Sequence, residues 1–245
     1  MKTKNSAKRI LKTAVIQMQS KPYALNENLQ LALNLAKEAH NKGANLIVLP
    51  ELFDSGYCVD DKDAEFGIDF KAIEHGELKN ESLSALSDFA KSSDTHIVAC
   101  SIEKTNKKLY DSAYIIPPKG KIVGKHRKIY LWGDEKSRFK RGKKYEVFTL
   151  DFGDFSAKVG LQICYEIGFG VGANLLALQG AEVLIYPSAF GKARAYNWDL
   201  LSRTKLNEVI IAEMDLNEVA LQRQKIPYLQ DFDTKLTKKG FGKLT

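Results

Sequence analysis

A cysteine, a glutamate and a lysine stand in three separate apolar stretches of this chain of 245 residues. Cys164 closes the run Val159-Gly-Leu-Gln-Ile-Cys164 and is followed by Tyr165, Glu166 and the glycine-broken segment Ile167-Gly-Phe-Gly170. A thiol at the tip of a strand, on a tight turn before a helix, is exposed like the nucleophile of a strand-turn-helix elbow. The dipole of the following helix, expected over residues 171–179, would favour its thiolate. Glu51 follows Leu46-Ile-Val-Leu-Pro50, where a carboxylate at a strand end points into a cleft. Lys128 ends Lys125-His-Arg-Lys128, ahead of Ile129-Tyr-Leu-Trp132. Taken singly, each has an ordinary explanation: a surface acid, a basic hairpin edge, a core thiol. Together they offer more, because a thiol nucleophile needs a base. His126 is one candidate; a buried carboxylate with a lysine beside it is the other. Nothing near His126 supplies the glycines or asparagine that orient a cysteine protease's histidine, and His40, His75 and His96 read as loop or surface positions. The carboxylate–lysine version is preferred.

The elements that must position these groups follow from periodicity. Residues 10–18 read as a strand and 26–41 as a helix with Leu29, Leu33 and Ala36 on one face, stopped at Asn41-Lys-Gly43. Residues 46–49 form a buried strand that Pro50 ends. The Gly- and Asp-rich segment 53–79 is read mostly as loop. A second helix is expected at 81–92, then strands at 96–102 and 110–116, and a turn at Pro117-Pro-Lys-Gly120 leading to Ile122-Val123. Strands at 148–152 and 157–163, the helix after Cys164, a strand at 183–186, a polar helix at 196–207 and a last strand at 209–214 complete the order. Alternating helices and strands with hairpins among them imply helices packed outside mixed sheets.

A chain of this length with 44% hydrophobic residues can bury a sizeable core in one domain. Three cysteines without short spacing make neither a disulfide framework nor a zinc site, and a reducing cytoplasm fits them best. No apolar run reaches membrane-spanning length, and the basic N-terminus does not read as a signal peptide. The net charge of +7 comes from lysines interleaved with acids, a solvated surface rather than a nucleic-acid site.

Val15-Ile-Gln17-Met18, Leu49-Pro50-Glu51 with Gly56-Tyr57, Arg127-Lys128-Ile-Tyr-Leu131-Trp132, Glu135, Phe139, Gly142, residues 160–166 and Tyr186-Pro187-Ser188-Ala189 follow one another in order. In that order they resemble the nitrilase (carbon–nitrogen hydrolase) superfamily, over residues 10–205. The resemblance implies an α/β fold, a four-layer α-β-β-α sandwich, in a homodimer or higher homo-oligomer, with no metal and no organic cofactor. It implies Glu51 as general base and later acid, Lys128 as stabiliser of the oxyanion, Cys164 as nucleophile, and Glu135 as a second glutamate that positions substrate or assists proton transfer. The Tyr165 backbone N–H would join Lys128 at the oxyanion. Tyr57, Trp132, Ala189 and Phe190 are expected, by position, to shape the pocket. For Glu166 three readings stand side by side: orienting Tyr165, binding a substrate amine, or a buried pair with a basic neighbour.

Two departures from the family pattern stand out. The turn after Cys164-Tyr-Glu166 lacks the acid many relatives carry and has glycines instead, which leave room and flexibility. Asn207-Glu208 runs directly into Val209, so a strand-loop-strand unit near the C-terminus is expected to be missing, opening a sheet edge. The expected function is a thiol hydrolase of non-peptide carbon–nitrogen bonds, an amidase or N-carbamoyl-amine amidohydrolase acting on a small-molecule amide or N-carbamoyl substrate and releasing ammonia. The alternatives are a non-catalytic binding or scaffold relative and a nitrile-hydrolysing nitrilase. No nucleic acid and no membrane partner is expected. Residues 10–228 form the expected single domain, between a basic tail at 1–9 and a charged tail at 229–245.

Overall fold

The computed structural model describes residues 8–58, 62–77, 79–190 and 207–225. In chain order the elements are β1 (Ile10–Gln17), α1 (Leu25–Asn41), β2 (Leu46–Val48), α2 (Asp63–Phe66), α3 (Phe70–Glu74), α4 (Glu81–Ser93), β3 (His96–Thr105) and β4 (Lys108–Ile116). They continue with β5 (Gly124–Arg127), α5 (Glu135–Arg138), β6 (Val147–Asp151), β7 (Ser156–Leu161), a 3-10 turn (Cys164–Gly168), α6 (Gly170–Leu178), β8 (Val183–Ile185), β9 (Glu208–Asp215) and α7 (Leu216–Lys225).

Six of the described strands form one sheet in the order β5-β4-β3-β2-β1-β9, and three form a second, β6-β7-β8. In the first, β1, β2 and β3 run parallel, while β4, β5 and β9 are antiparallel to their neighbours. Strand alternation assigns each residue to one of two cores. Ile47, Ile97, Ala99, Tyr114 and Ile116 face the helices, where Leu29, Ala32 and Ala36 of α1 and Leu83, Leu86 and Ala90 of α4 recur at helical spacing. Leu46, Val48, Val98, Cys100, Ala113 and Ile115 face the second sheet and meet Leu150, Ala157, Val159, Leu161, Val183 and Ile185. On the far side of the second sheet Leu176 of α6 lies over Gly160, where a Cβ would come within 2.9 Å of it. The layers are therefore helix, sheet, sheet, helix.

Several elements differ from the sequence reading. The segment read as loop contains α2 and α3. Asp69 starts α3 by accepting the Lys71 and Ala72 N–H groups, and Phe70 is buried, a cap hidden among turn residues. After the turn at Pro117, the strand begins at Gly124 rather than Ile122. His96 is buried at the head of β3 against Phe152, not at the surface, while His40 and His75 are exposed. Helix α7 was not foreseen. The polar helix expected over 196–207 falls largely on residues 191–206, outside the described residues, as do residues 1–7 of the basic tail, residues 226–228 and the whole charged tail at 229–245. Among the described residues no helix is long and apolar enough to cross a membrane.

Candidate active site

The three chemical stretches meet where the inter-sheet face runs out at one end of the strands. On β5 the buried positions are Gly124 and His126, and the same alternation carries on to Lys128, whose N–H donates to the Asp111 carbonyl of β4 (2.9 Å). Asp111, Ala113 and Ile115 share the facing parity of β4, so the Lys128 side chain enters the space between the sheets next to Asp111. Two devices hold Lys128 there. Arg127 donates Nε to Glu103 Oε2 (2.9 Å) and Nη2 to Glu103 Oε1 (2.5 Å), and stacks 3.9 Å above the Tyr110 ring. Burial opposes the Glu103 charge, but hydrogen bonds from Arg127 and Lys125 hold its carboxyl at about 2. Gly142 donates to the Lys128 carbonyl (2.8 Å) and packs so tightly that a Cβ would lie 2.0 Å from the Arg127 carbonyl oxygen.

Glu51 comes from the turn after β2. Pro50 ends the strand, and Gly56 N–H closes the turn on the Leu52 carbonyl (2.8 Å). Leu52 has a positive φ of 49°, a conformation that costs a non-glycine residue roughly 1 kcal/mol or more. Cys164 has φ 44° and opens the 3-10 turn after β7. Its N–H donates to the Pro187 carbonyl (2.9 Å), and the Ile163 N–H to Glu166 Oε2 (2.8 Å), so both sides of the strained residue are tied.

Lys128, fully buried, donates Nζ to Glu51 Oε1 (2.5 Å) and Glu135 Oε1 (2.8 Å), with Asp111 Oδ2 at 3.4 Å. Glu51 Oε2 accepts the Ala189 N–H (3.0 Å). Tyr57 donates to Glu135 Oε1 (2.5 Å) and the Trp132 N–H to Glu135 Oε2 (2.8 Å). The Trp132 ring stands edge-on to Tyr165 at 4.7 Å, Tyr165 edge-on to Phe169 at 5.1 Å, and Phe169 stacks on Tyr130 at 3.9 Å. Trp132 and Phe190 are exposed at the rim, 37% and 38%. The Tyr165 N–H meets no acceptor among the described residues.

A family model described as carbon-nitrogen hydrolase matches residues 12–206. The chain belongs to the carbon–nitrogen hydrolase family. It is 38% identical over 180 residues to a nitrilase of Pyrococcus abyssi, covering 73% of this chain and 65% of that protein. It is 34% identical over 212 residues to omega-amidase NIT2 of Mus musculus, covering 81% and 72% of the two chains. The crystal structure of Saccharomyces cerevisiae Nit3 superposes with a TM-score of 0.75 at 26% identity, over 89% of this chain and 94% of that one. The chain thus spans just under two-thirds of the length of the Pyrococcus nitrilase.

In this family member the site's electrostatics follow from one ammonium among several acids. Burial pushes the Glu51 carboxyl well above the usual carboxylate range; Lys128 pulls it back, and Asp111 and Glu135 push it further up. Burial disfavours the Lys128 charge, but Glu51, Asp111, Cys164 and Glu135 outweigh it, and the ammonium is held more firmly than in water. Burial, then the neighbouring Glu51, pushes the Cys164 thiol up. This corrects the expected thiolate. Cys164 lies in the 3-10 turn and α6 begins only at Gly170, so burial and the nearby Glu51 favour the thiol with no helix N-terminus to oppose them. Glu51, Asp111 and Glu135 bring oxygens within 4.8 Å of one another, a spacing suited to a cation, and the Lys128 Nζ sits against all three.

Glu166 is fully buried. It accepts His126 Nε2 (2.7 Å), the N–H groups of Ile163 (2.8 Å) and Ile129 (3.1 Å), and the Tyr145 hydroxyl (3.2 Å). Both oxygens are engaged within the protein, tying the cysteine turn to the segment after Lys128. His126, weighed as a base, is engaged by Glu166. The sequence reading passed over Asp111, and the available signal was an acid on the inward parity of a strand otherwise made of Ala113 and Ile115.

Proposed function

We propose that the chain hydrolyses small carbon–nitrogen substrates of the amide class through a Cys164 thioester. The observation that carries this reading is the fully buried Lys128 ammonium held between Glu51 and Glu135, with the buried Cys164 thiol pushed up by its burial and by the nearby Glu51. Because the resting group is a thiol, attack needs a base at the moment of bond formation. Glu51 takes the proton as sulfur adds to the carbonyl carbon. The oxyanion faces the Lys128 ammonium and the Tyr165 N–H, donors fixed in place before the charge develops. Collapse expels the nitrogen with the proton from Glu51. Water then gives a proton to Glu51 and adds to the thioester, and a second collapse frees the acid and returns the proton to sulfur. Glu135, fixed by Tyr57, Lys128 and the Trp132 N–H, orients Lys128.

The relatives called omega-amidases support the amide class, and N-carbamoyl amines remain a narrower proposal within it. A second reading, nitrile hydrolysis, is favoured by the Pyrococcus relative called a nitrilase. The retained Glu51, Lys128, Glu135 and Cys164 constellation weighs against a non-catalytic scaffold. We further propose a homo-oligomer. A missing strand-loop-strand unit after Asn207 is likewise a proposal, resting on Asn207-Glu208 running directly into Val209. The test is ammonia release from panels of short amides, N-carbamoyl amines and nitriles, by this chain and by Cys164→Ala. Release from one class that vanishes in the variant is expected; release that persists in Cys164→Ala, or none from a folded wild-type chain, refutes the reading.

A further inference from the structure

Beyond the two glutamates, the fold brings a third acid to Lys128. Asp111 is fully buried, and its Oδ2 has no hydrogen-bond partner among the described residues although it lies 3.4 Å from Lys128 Nζ. Its Oδ1 accepts the Cys100 thiol (3.1 Å), and its carboxyl oxygens come within 4.8 Å of those of Glu51 and Glu135. Glu51 faces it from the turn after β2, Cys100 from β3, Lys128 from the end of β5 and Glu135 from α5, with Cys164 beyond Glu51. Two ionised carboxylates have no proton to place between them, and out of water they repel strongly. Two buried carboxyls this close relieve that repulsion when one of them retains a proton. One ammonium against three acids leaves room for it.

We propose that Glu51 and Asp111 form one proton-sharing carboxyl pair, and that its singly protonated form is the resting base. This rests on the reading of Glu51 as the base for Cys164. The shared proton lies between Asp111 and Glu51, leaving Glu51 an oxygen for the thiol. When the S–H bond breaks and the C–S bond forms, a second proton enters the pair and the oxyanion carries the charge. That second proton leaves with the nitrogen, and the pair returns to one. Water's proton takes the same route in deacylation, and the shared proton is never consumed. Asp111 is thus a positioning residue: it fixes which Glu51 oxygen faces sulfur and keeps the site from becoming more negative as the oxyanion forms. Such a pair titrates as a unit.

Infrared difference spectroscopy at neutral pH reads the protonated-carboxyl C=O stretch without any turnover. The wild-type chain is expected to show a band that is lost in Asp111→Asn and in Glu51→Gln; the buried Asp54 contributes equally to all three and cancels. In turnover, Asp111→Asn imitates the permanently protonated partner, so the alkaline limb of kcat/KM moves up by about one pH unit or more while KM changes little. A wild-type band that survives in Asp111→Asn assigns the proton to Glu51 alone; no band in the wild type shows that the pair holds none. Either overturns the proposal, as does an unmoved alkaline limb. The outcomes separate from those of the hydrolase reading: a band with no ammonia release keeps the pair and removes the reading, and ammonia release with no band does the reverse.

Discussion

Replacing Lys128 by methionine removes the one cation among three buried acids while nearly keeping the side chain's volume. In the native protein Nζ lies 2.5 Å from Glu51, 2.8 Å from Glu135 and 3.4 Å from Asp111, all fully or almost fully buried. Breaking a buried ion pair from one side leaves the other charge uncompensated and costs about 3–5 kcal/mol. With a urea slope of about 3 kcal/mol per molar, the midpoint falls by roughly 1–1.7 M at neutral pH. Without the ammonium the Glu51 carboxyl, already pushed up by burial, escapes repulsion by holding its proton more firmly, so its folded value rises further above the unfolded one. Stability from a group raised in this way is present at acid pH and lost as pH rises through the folded value. The gap between variant and wild type should therefore narrow as pH falls towards about 5 and widen above it. Urea melts at a series of pH values from acid to slightly alkaline measure both. A Lys128→Met chain as stable as wild type at neutral pH, or a gap independent of pH, would refute the view that this ammonium balances the buried acids.

Two further outcomes follow from the same geometry. Glu166→Gln puts an amide NH2 where Ile163 N–H and His126 now find acceptors; a loss of about 1–3 kcal/mol is expected in thermal melts, with kcat falling more than KM changes, because the cysteine turn shifts. Asp54 is buried and its carboxyl is pushed up to about 6, so the stability of the native chain declines as pH rises through that value. Asp54→Asn removes that decline, worth up to about 3 kcal/mol at neutral pH, and its Tm should change less than the wild type's between mildly acid and neutral buffer; an equal Tm change in both proteins would count against it.

Local chemistry in the sequence carried a good deal. Strand and helix periodicity located α1, α4 and the strands of both sheets except β5, because a face buried in a layered protein must repeat at period 2 or 3.6 whatever its neighbours do. The order of Pro50-Glu51, Arg127-Lys128 and Cys164-Tyr-Glu166 was enough to point to thiol chemistry and to the family, since the backbone devices around them, a strand-ending proline, a hairpin edge and a strained turn, are written in neighbouring residues. The Asp69 cap was equally local but sat among turn formers, and α2 and α3 were lost in it.

Only the tertiary structure decided what depends on residues far apart in the chain. Whether Cys164 rests as a thiol or a thiolate is set by burial and by Glu51, more than a hundred positions away, against a helix dipole that begins too late to reach it. The partner of Glu166 could not be chosen from sequence, because His126, Ile129 and Tyr145 reach it only once β5 lies beside the cysteine turn. Asp111 was invisible for the same reason. An acid in a strand is ordinary at a surface, and its meaning comes from the strand register that sets it, out of water, beside Lys128 and Glu51.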